Sequence, residues 1–191
     1  MLKITRGMAF VLAVSGLLYL GAGLWVPLKA TLAQYLLQRA WQKSIQSGTN
    51  FKPWPWADTW PVGRLRSART GIDLIVLEGD SGEVLAFGPG PLQASSAPGD
   101  GGHSILVGHR DTSFSFVRHL TPGDLLTLEG KRTKRNYQVE MTEVVPAEKL
   151  YLDGTRNGLL TLVTCYPFDA VMSGTPFRFV VTASEAFGGV Y

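Results

Sequence analysis

A chain of 191 residues with 45% hydrophobic side chains, 17% charged ones and one cysteine is a single ordinary domain with room for a short appendage. That apolar content excludes a disordered chain, and a lone cysteine excludes an internal disulfide framework. The net charge of +3 lies entirely in Lys3, Arg6 and Lys29; the rest has fifteen basic against fifteen acidic side chains, which gives no support to nucleic-acid binding.

From Gly7 to Leu28 there are 22 residues without a charge. About 20 helical residues cross the roughly 30 Å apolar layer of a bilayer, so this run predicts an N-terminal transmembrane helix. Lys3 and Arg6 ahead of it keep the short N-terminal end in the cytoplasm and put the bulk of the chain outside. A cleaved signal peptide would have a shorter apolar region and an A-x-A-like site, and residues 29–33 offer no clean match. Thr31–Ser47 follows with Leu32, Tyr35, Leu36, Ala40, Trp41 and Ile45 on one helical stripe, ended by Gly48-Thr49-Asn50. Phe51–Pro61 holds three prolines and three tryptophans in eleven residues, which predicts an extended linker. Its tryptophans either line the membrane interface or cover part of the domain, packing being the commoner use. The expected organisation is an anchor over 1–29, a juxtamembrane helix and linker over 30–61, and a folded domain over 62–191.

Beyond Val62 the texture changes to short apolar stretches broken by glycine, proline and aspartate. Strands are predicted at Val62–Arg66, Ile72–Leu77, Ile105–Gly108, Leu125–Glu129, Tyr137–Val145, Leu159–Cys165 and Phe177–Thr182, with a short helix over Ser113–Leu120. No long helical pattern alternates with them, which disfavours a parallel α/β sheet and leaves a small β-barrel or sandwich. Lys131, Arg132, Lys134 and Arg135 lie between two strands and read as a solvated hairpin tip.

A single cysteine exposed to an oxidising compartment is a liability unless it is buried or used. Cys165 sits near the end of a strand, because Pro167 cannot continue an ordinary central one. Strand ends hold reactive groups rigidly yet open to substrate, although a free cysteine is also commonly an inert core residue. A sulfur nucleophile needs a group to return a proton to the leaving group. Of the three histidines, His109 follows the strand SILVG, His119 falls in the short helix and His103 in a glycine-rich loop. The H-x5-H-x9-H spacing with Cys165 matches no common metal-ligand pattern. Arg178 interrupts an apolar strand, which is costly unless the arginine is paired or faces a polar site. Only eleven residues separate that strand from Cys165, so antiparallel pairing brings Arg178 to the cysteine by connectivity. There it donates hydrogen bonds to an oxyanion, or else forms an ion pair with Asp111, Asp169 or Glu185.

GHRDTSF at Gly108–Phe114, TLVTCYPF at Thr161–Phe168 and the arginine of TPFRFVV at Thr175–Val181 together resemble a sortase, over roughly Pro61 to Ser184. The GHRD and LVTCYPF forms, with FGPG at Phe87–Gly90, most resemble the proteobacterial, Gram-negative branch. The resemblance implies a mainly β fold, an eight-stranded barrel with short helices behind the transmembrane helix. It also implies an inner-membrane enzyme whose domain faces the periplasm. Cys165 would attack the threonine carbonyl of a Leu-Pro-x-Thr-Gly-like signal near the C-terminus of a secreted protein. His109 would protonate the departing glycine amine and then deprotonate the amine acceptor, while Arg178 would orient the signal and stabilise the developing charge. Thr164 would bind substrate or support the site, and Asp111 would orient the histidine loop or Arg110. The expected partners are that substrate protein, an amine acceptor and membrane lipid, with no nucleic acid, no cofactor and no metal.

Two other enzyme classes fit less well. An L,D-transpeptidase carries its histidine only a few residues before its cysteine, whereas His109 and Cys165 are 56 positions apart. A papain-like protease has the reverse order. The non-enzyme alternative is a tethered module that binds peptides without cutting them.

Overall fold

The computed structural model describes residues 2–172 and 174–186. The chain divides into two compact units, Met1–Leu36 and Leu37–Tyr191. Helix α1 runs over Leu2–Ser47, joining the apolar run and the amphipathic stretch in one element. The backbone is helical across Gly7–Leu28, while most side chains of that run lie outside the described residues. Among the described residues no helix is long and apolar enough to cross a membrane, so the transmembrane helix expected there is not found.

The apolar stripe of the second half of α1 also differs from expectation. Leu37, Ala40, Trp41 and Ser44 are buried, whereas Leu32, Tyr35 and Ile45 are exposed. The buried set follows i, i+3, i+4, i+7, and its Leu37 and Trp41 pack on Ile75 and Leu77 of the sheet. The buried stripe is thus rotated from the one that the apolar residues alone predict. Gly48 then ends the helix with φ +73°, its N–H donating to the Ser44 carbonyl at 3.0 Å. In the linker, Trp54 packs edge-on to Phe87 at 5.1 Å between centroids, and Trp56 stays exposed.

Eight strands follow: β1 (Pro61–Ser67), β2 (Ile72–Leu77), β3 (Gly90–Pro91), β4 (His103–Val107), β5 (Leu125–Glu129), β6 (Lys134–Pro146), β7 (Leu159–Tyr166) and β8 (Phe177–Glu185). The seven predicted strands are all present, and β3 was unforeseen because two residues show no periodicity. A one-turn helix α2 (Gly82–Leu85), capped by Ser81, and 3-10 turns at Ser115–His119 and Ala147–Lys149 connect them. The sheet order is β2-β1-β5-β6-β8-β7-β4-β3. All pairs are antiparallel except β4 with β7. The two edges nearly meet: the Leu77 N–H donates to the Pro89 carbonyl at 2.8 Å, and a Cβ on Gly90 would lie 1.8 Å from the Gly79 oxygen. The sheet is thus a nearly closed barrel.

Its interior is filled by Leu65, Leu106, Leu126, Leu128, Leu160, Leu162, Val181 and Ala183, with Phe114 and Val117 of the β4–β5 connection plugging one side. β7 is buried on both faces over Leu159–Thr164, which explains why its sequence is mainly apolar without strict alternation. Its other face, with Ile105, Val163 and Val180, is covered by Leu92, Leu150 and Leu152. The basic cluster divides: Lys131 and Arg132 lie in the β5–β6 turn, while Arg135 lies within β6 and pairs with Glu185 of β8.

Candidate active site

In the antiparallel β7–β8 pair, Cys165 is directly opposite Arg178. Opposed residues share a face, with Cβ atoms about 5 Å apart. Alternation puts both on the face of Val163 and Val180, just beyond that apolar cluster. His109 arrives from the other neighbour of β7. β4 runs parallel to β7 with Val107 opposite Val163, so the next two residues bring His109 level with Cys165. The ladder continues past the strand, since the Gly108 N–H donates to the Val163 carbonyl at 3.3 Å. Only glycine fits at position 108, where a Cβ would lie 2.8 Å from the Phe114 ring and 2.9 Å from Ser113 Oγ.

His109 is exposed, and Cys165 and Arg178 are partly so. No hydrogen bond joins the three side chains among the described residues. Arg178 Nη1 donates to the Thr175 carbonyl at 2.7 Å and the Phe177 carbonyl at 2.9 Å, which anchors the guanidinium to its own strand entry. The ion pairs that would have made Arg178 merely structural are absent among the described residues. Glu185 pairs with Arg135, and Asp111 with Arg110.

Thr164 is buried on the opposite face of β7, where its hydroxyl donates to the Gly108 carbonyl at 2.7 Å. This bond ties the end of β7 to the residue before His109. Asp111 is exposed, 3.4 Å from Arg110 Nε. His103 is buried between the Asp153 carbonyl at 2.5 Å and Thr161 Oγ1 at 2.8 Å, and His119 lies on the surface of its 3-10 turn. The three histidines therefore do not converge, and no group of metal-ligating side chains occurs among the described residues.

The residue that the sequence left nearly unremarked is Arg110. It is 5% exposed, and its guanidinium donates to the carbonyls of Pro167 (2.9 Å), Ala170 (2.5 Å) and Met172 (2.9 Å). The one hint was a charged residue between His109 and Asp111 in a loop that follows a buried strand.

A sulfur, an imidazole and a guanidinium thus stand at adjacent strand ends of the barrel, a set suited to nucleophilic attack, proton transfer and oxyanion stabilisation. A model of the sortase domain matches residues 65–186, and the chain belongs to the sortase family. It is 30% identical over 122 residues to sortase D of Bacillus subtilis, a stretch that is 62% of this chain and 61% of that protein. The chain thus spans about three fifths of that relative's length. Among solved structures it is similar to sortase C1 of Streptococcus agalactiae, with 29% identity, a TM-score of 0.57, and 68% of this chain and 69% of that one covered. The fold is also that of Clostridium perfringens sortase D5 (16% identity, TM-score 0.64, 82% and 99% covered) and Listeria monocytogenes sortase A (22%, 0.59, 66% and 87%).

Proposed function

We propose that this protein is a membrane-anchored transpeptidase that cuts a Leu-Pro-x-Thr-Gly-like signal after its threonine and passes the acyl group to an amine. The observation that carries this reading is the register: Cys165 opposite Arg178, with His109 level with both. The Cys165 sulfur attacks the threonine carbonyl, and the carbon–nitrogen bond to glycine breaks as His109 gives the departing amine a proton. The product is a thioester on Cys165. An acceptor amine then attacks that carbonyl and loses its proton to His109, and the carbon–sulfur bond breaks to release the Cys165 sulfur as a thiolate. Arg178 has N–H groups beyond those anchored to its own strand, and these face the oxyanion formed in each step.

The uncharged run Gly7–Leu28 behind Lys3 and Arg6 supports an anchor in the inner membrane, with the N-terminus inside and the barrel in the periplasm. The GHRD, LVTCYPF and FGPG forms support the proteobacterial branch. The direct test is ligation of a Leu-Pro-x-Thr-Gly peptide to a glycine amine, followed by mass spectrometry. Ligated product from the wild-type protein and none from Cys165→Ala is the expected result. Unchanged peptide with both proteins contradicts the reading.

A further inference from the structure

The β7–β8 loop, which links Cys165 to Arg178, has little packing of its own. Val171 is 101% exposed and Met172 is 77% exposed, so its tip is not held by apolar burial. Phe168 anchors its first residues by packing against Tyr166 and Phe179, with the Arg118 guanidinium 4.6 Å over its ring. Beyond Phe168 the loop is held through its backbone: Arg178 and the Ala147 N–H hold the carbonyls of Thr175 and Pro176 at its far end, and the Arg110 fork reaches carbonyls at three positions of its first part. A planar guanidinium with five donors can span such a set, whereas an ammonium cannot. Arg110 is bonded through the main chain to His109. The same side chain therefore fixes the loop after the sulfur against the loop that carries the imidazole.

We propose that Arg110 is a positioning residue, which holds His109 in register with Cys165 and Arg178 by clamping the β7–β8 loop; its catalytic consequence rests on the transpeptidase reading above. It touches neither substrate nor sulfur. Without it, the carbonyls of Pro167, Ala170 and Met172 each lose a charged donor and the two loops are free to separate. A misplacement of about 1 Å can cost on the order of 100-fold in rate.

The test uses the full chain with Arg110→Ala and Arg110→Lys. Hydrogen exchange of the amides at 168–172 should rise at least about tenfold in Arg110→Ala, with the amides of β1 and β5 unchanged. The kcat for peptide cleavage should fall about 10–100-fold, and Arg110→Lys should lie between. The deciding readout needs no peptide. The pH profile of Cys165 alkylation by iodoacetamide should move in Arg110→Ala toward that of His109→Ala, since a loop that merely stabilised the fold would leave it in place. An unmoved profile, or unchanged loop exchange, overturns the proposal. If the wild type cleaves no peptide while the profile moves, the transpeptidase reading fails and the positioning role stands. If Arg110→Ala does not fold, the same profile measured on Arg110→Lys decides.

Discussion

The arginines on the β1–β2–β5–β6 side of the barrel and those on the β4–β7–β8 side are used in opposite ways. On the first side four guanidinium groups meet carboxylates: Arg64 with Asp73 at 2.5 Å, Arg66 with Glu129 at 2.9 Å, Arg69 with Asp124, and Arg135 with Glu185. Asp73 and Asp124 are held below the ordinary carboxylate range, chiefly by the hydrogen bonds from Arg64 and Arg69. On the second side Arg110 binds neutral carbonyls and touches only an exposed Asp111, and Arg178 meets no acid among the described residues. A guanidinium already matched by a carboxylate has little field left for a ligand. The contrast separates arginines that fasten strands through carboxylates from Arg110, spent on loop carbonyls, and Arg178, left with charge to offer at the candidate site.

The sharpest way to break that contrast is Arg178→Gln. It should lower kcat for peptide cleavage about 100-fold while thermal unfolding stays within a few degrees of wild type. A large loss of stability with kcat retained would place Arg178 among the fasteners.

The opposite pattern is expected at Asp124. It is buried, and its carboxylate accepts from Arg69, from the Thr121 N–H at 2.6 Å and from the Thr121 hydroxyl at 3.2 Å. Asp124→Asn should cost about 1 kcal/mol at pH 7 in urea unfolding, with peptide cleavage unchanged. Because the folded carboxyl titrates below its unfolded value of about 3.9, its contribution is full at neutral pH and disappears as pH falls through the folded value. The gap between variant and wild type should therefore close below about pH 4. A gap that persists unchanged in acid would contradict the assignment.

Much of this was legible in the sequence, for identifiable reasons. Strands such as Ile72–Leu77 and Leu125–Glu129 are bounded by glycine, proline or aspartate, and their lengths follow from that punctuation. The meeting of Cys165 and Arg178 follows from a connection too short for anything but neighbouring strands. The parallel β4–β7 pair, which brings His109 level with Cys165, was hidden because the partners are 56 residues apart and no local signal records the pairing. Arg110 was hidden for a different reason: its partners are carbonyls, which every residue carries, so nothing in the loop's composition marks them. On α1, exposed Leu32 and Tyr35 are as apolar as buried Leu37 and Trp41, and only the tertiary fold chooses between them.

One measurement bears most directly on whether the three side chains act as one site. A sorting-signal peptide with a thiol-reactive group in place of the scissile carbonyl would be incubated with the folded protein and the intact mass recorded. The account predicts a single adduct on Cys165, formed much more slowly in His109→Ala and in Arg178→Ala. Absence of the adduct from the wild-type protein, or equal rates in all three, would contradict it.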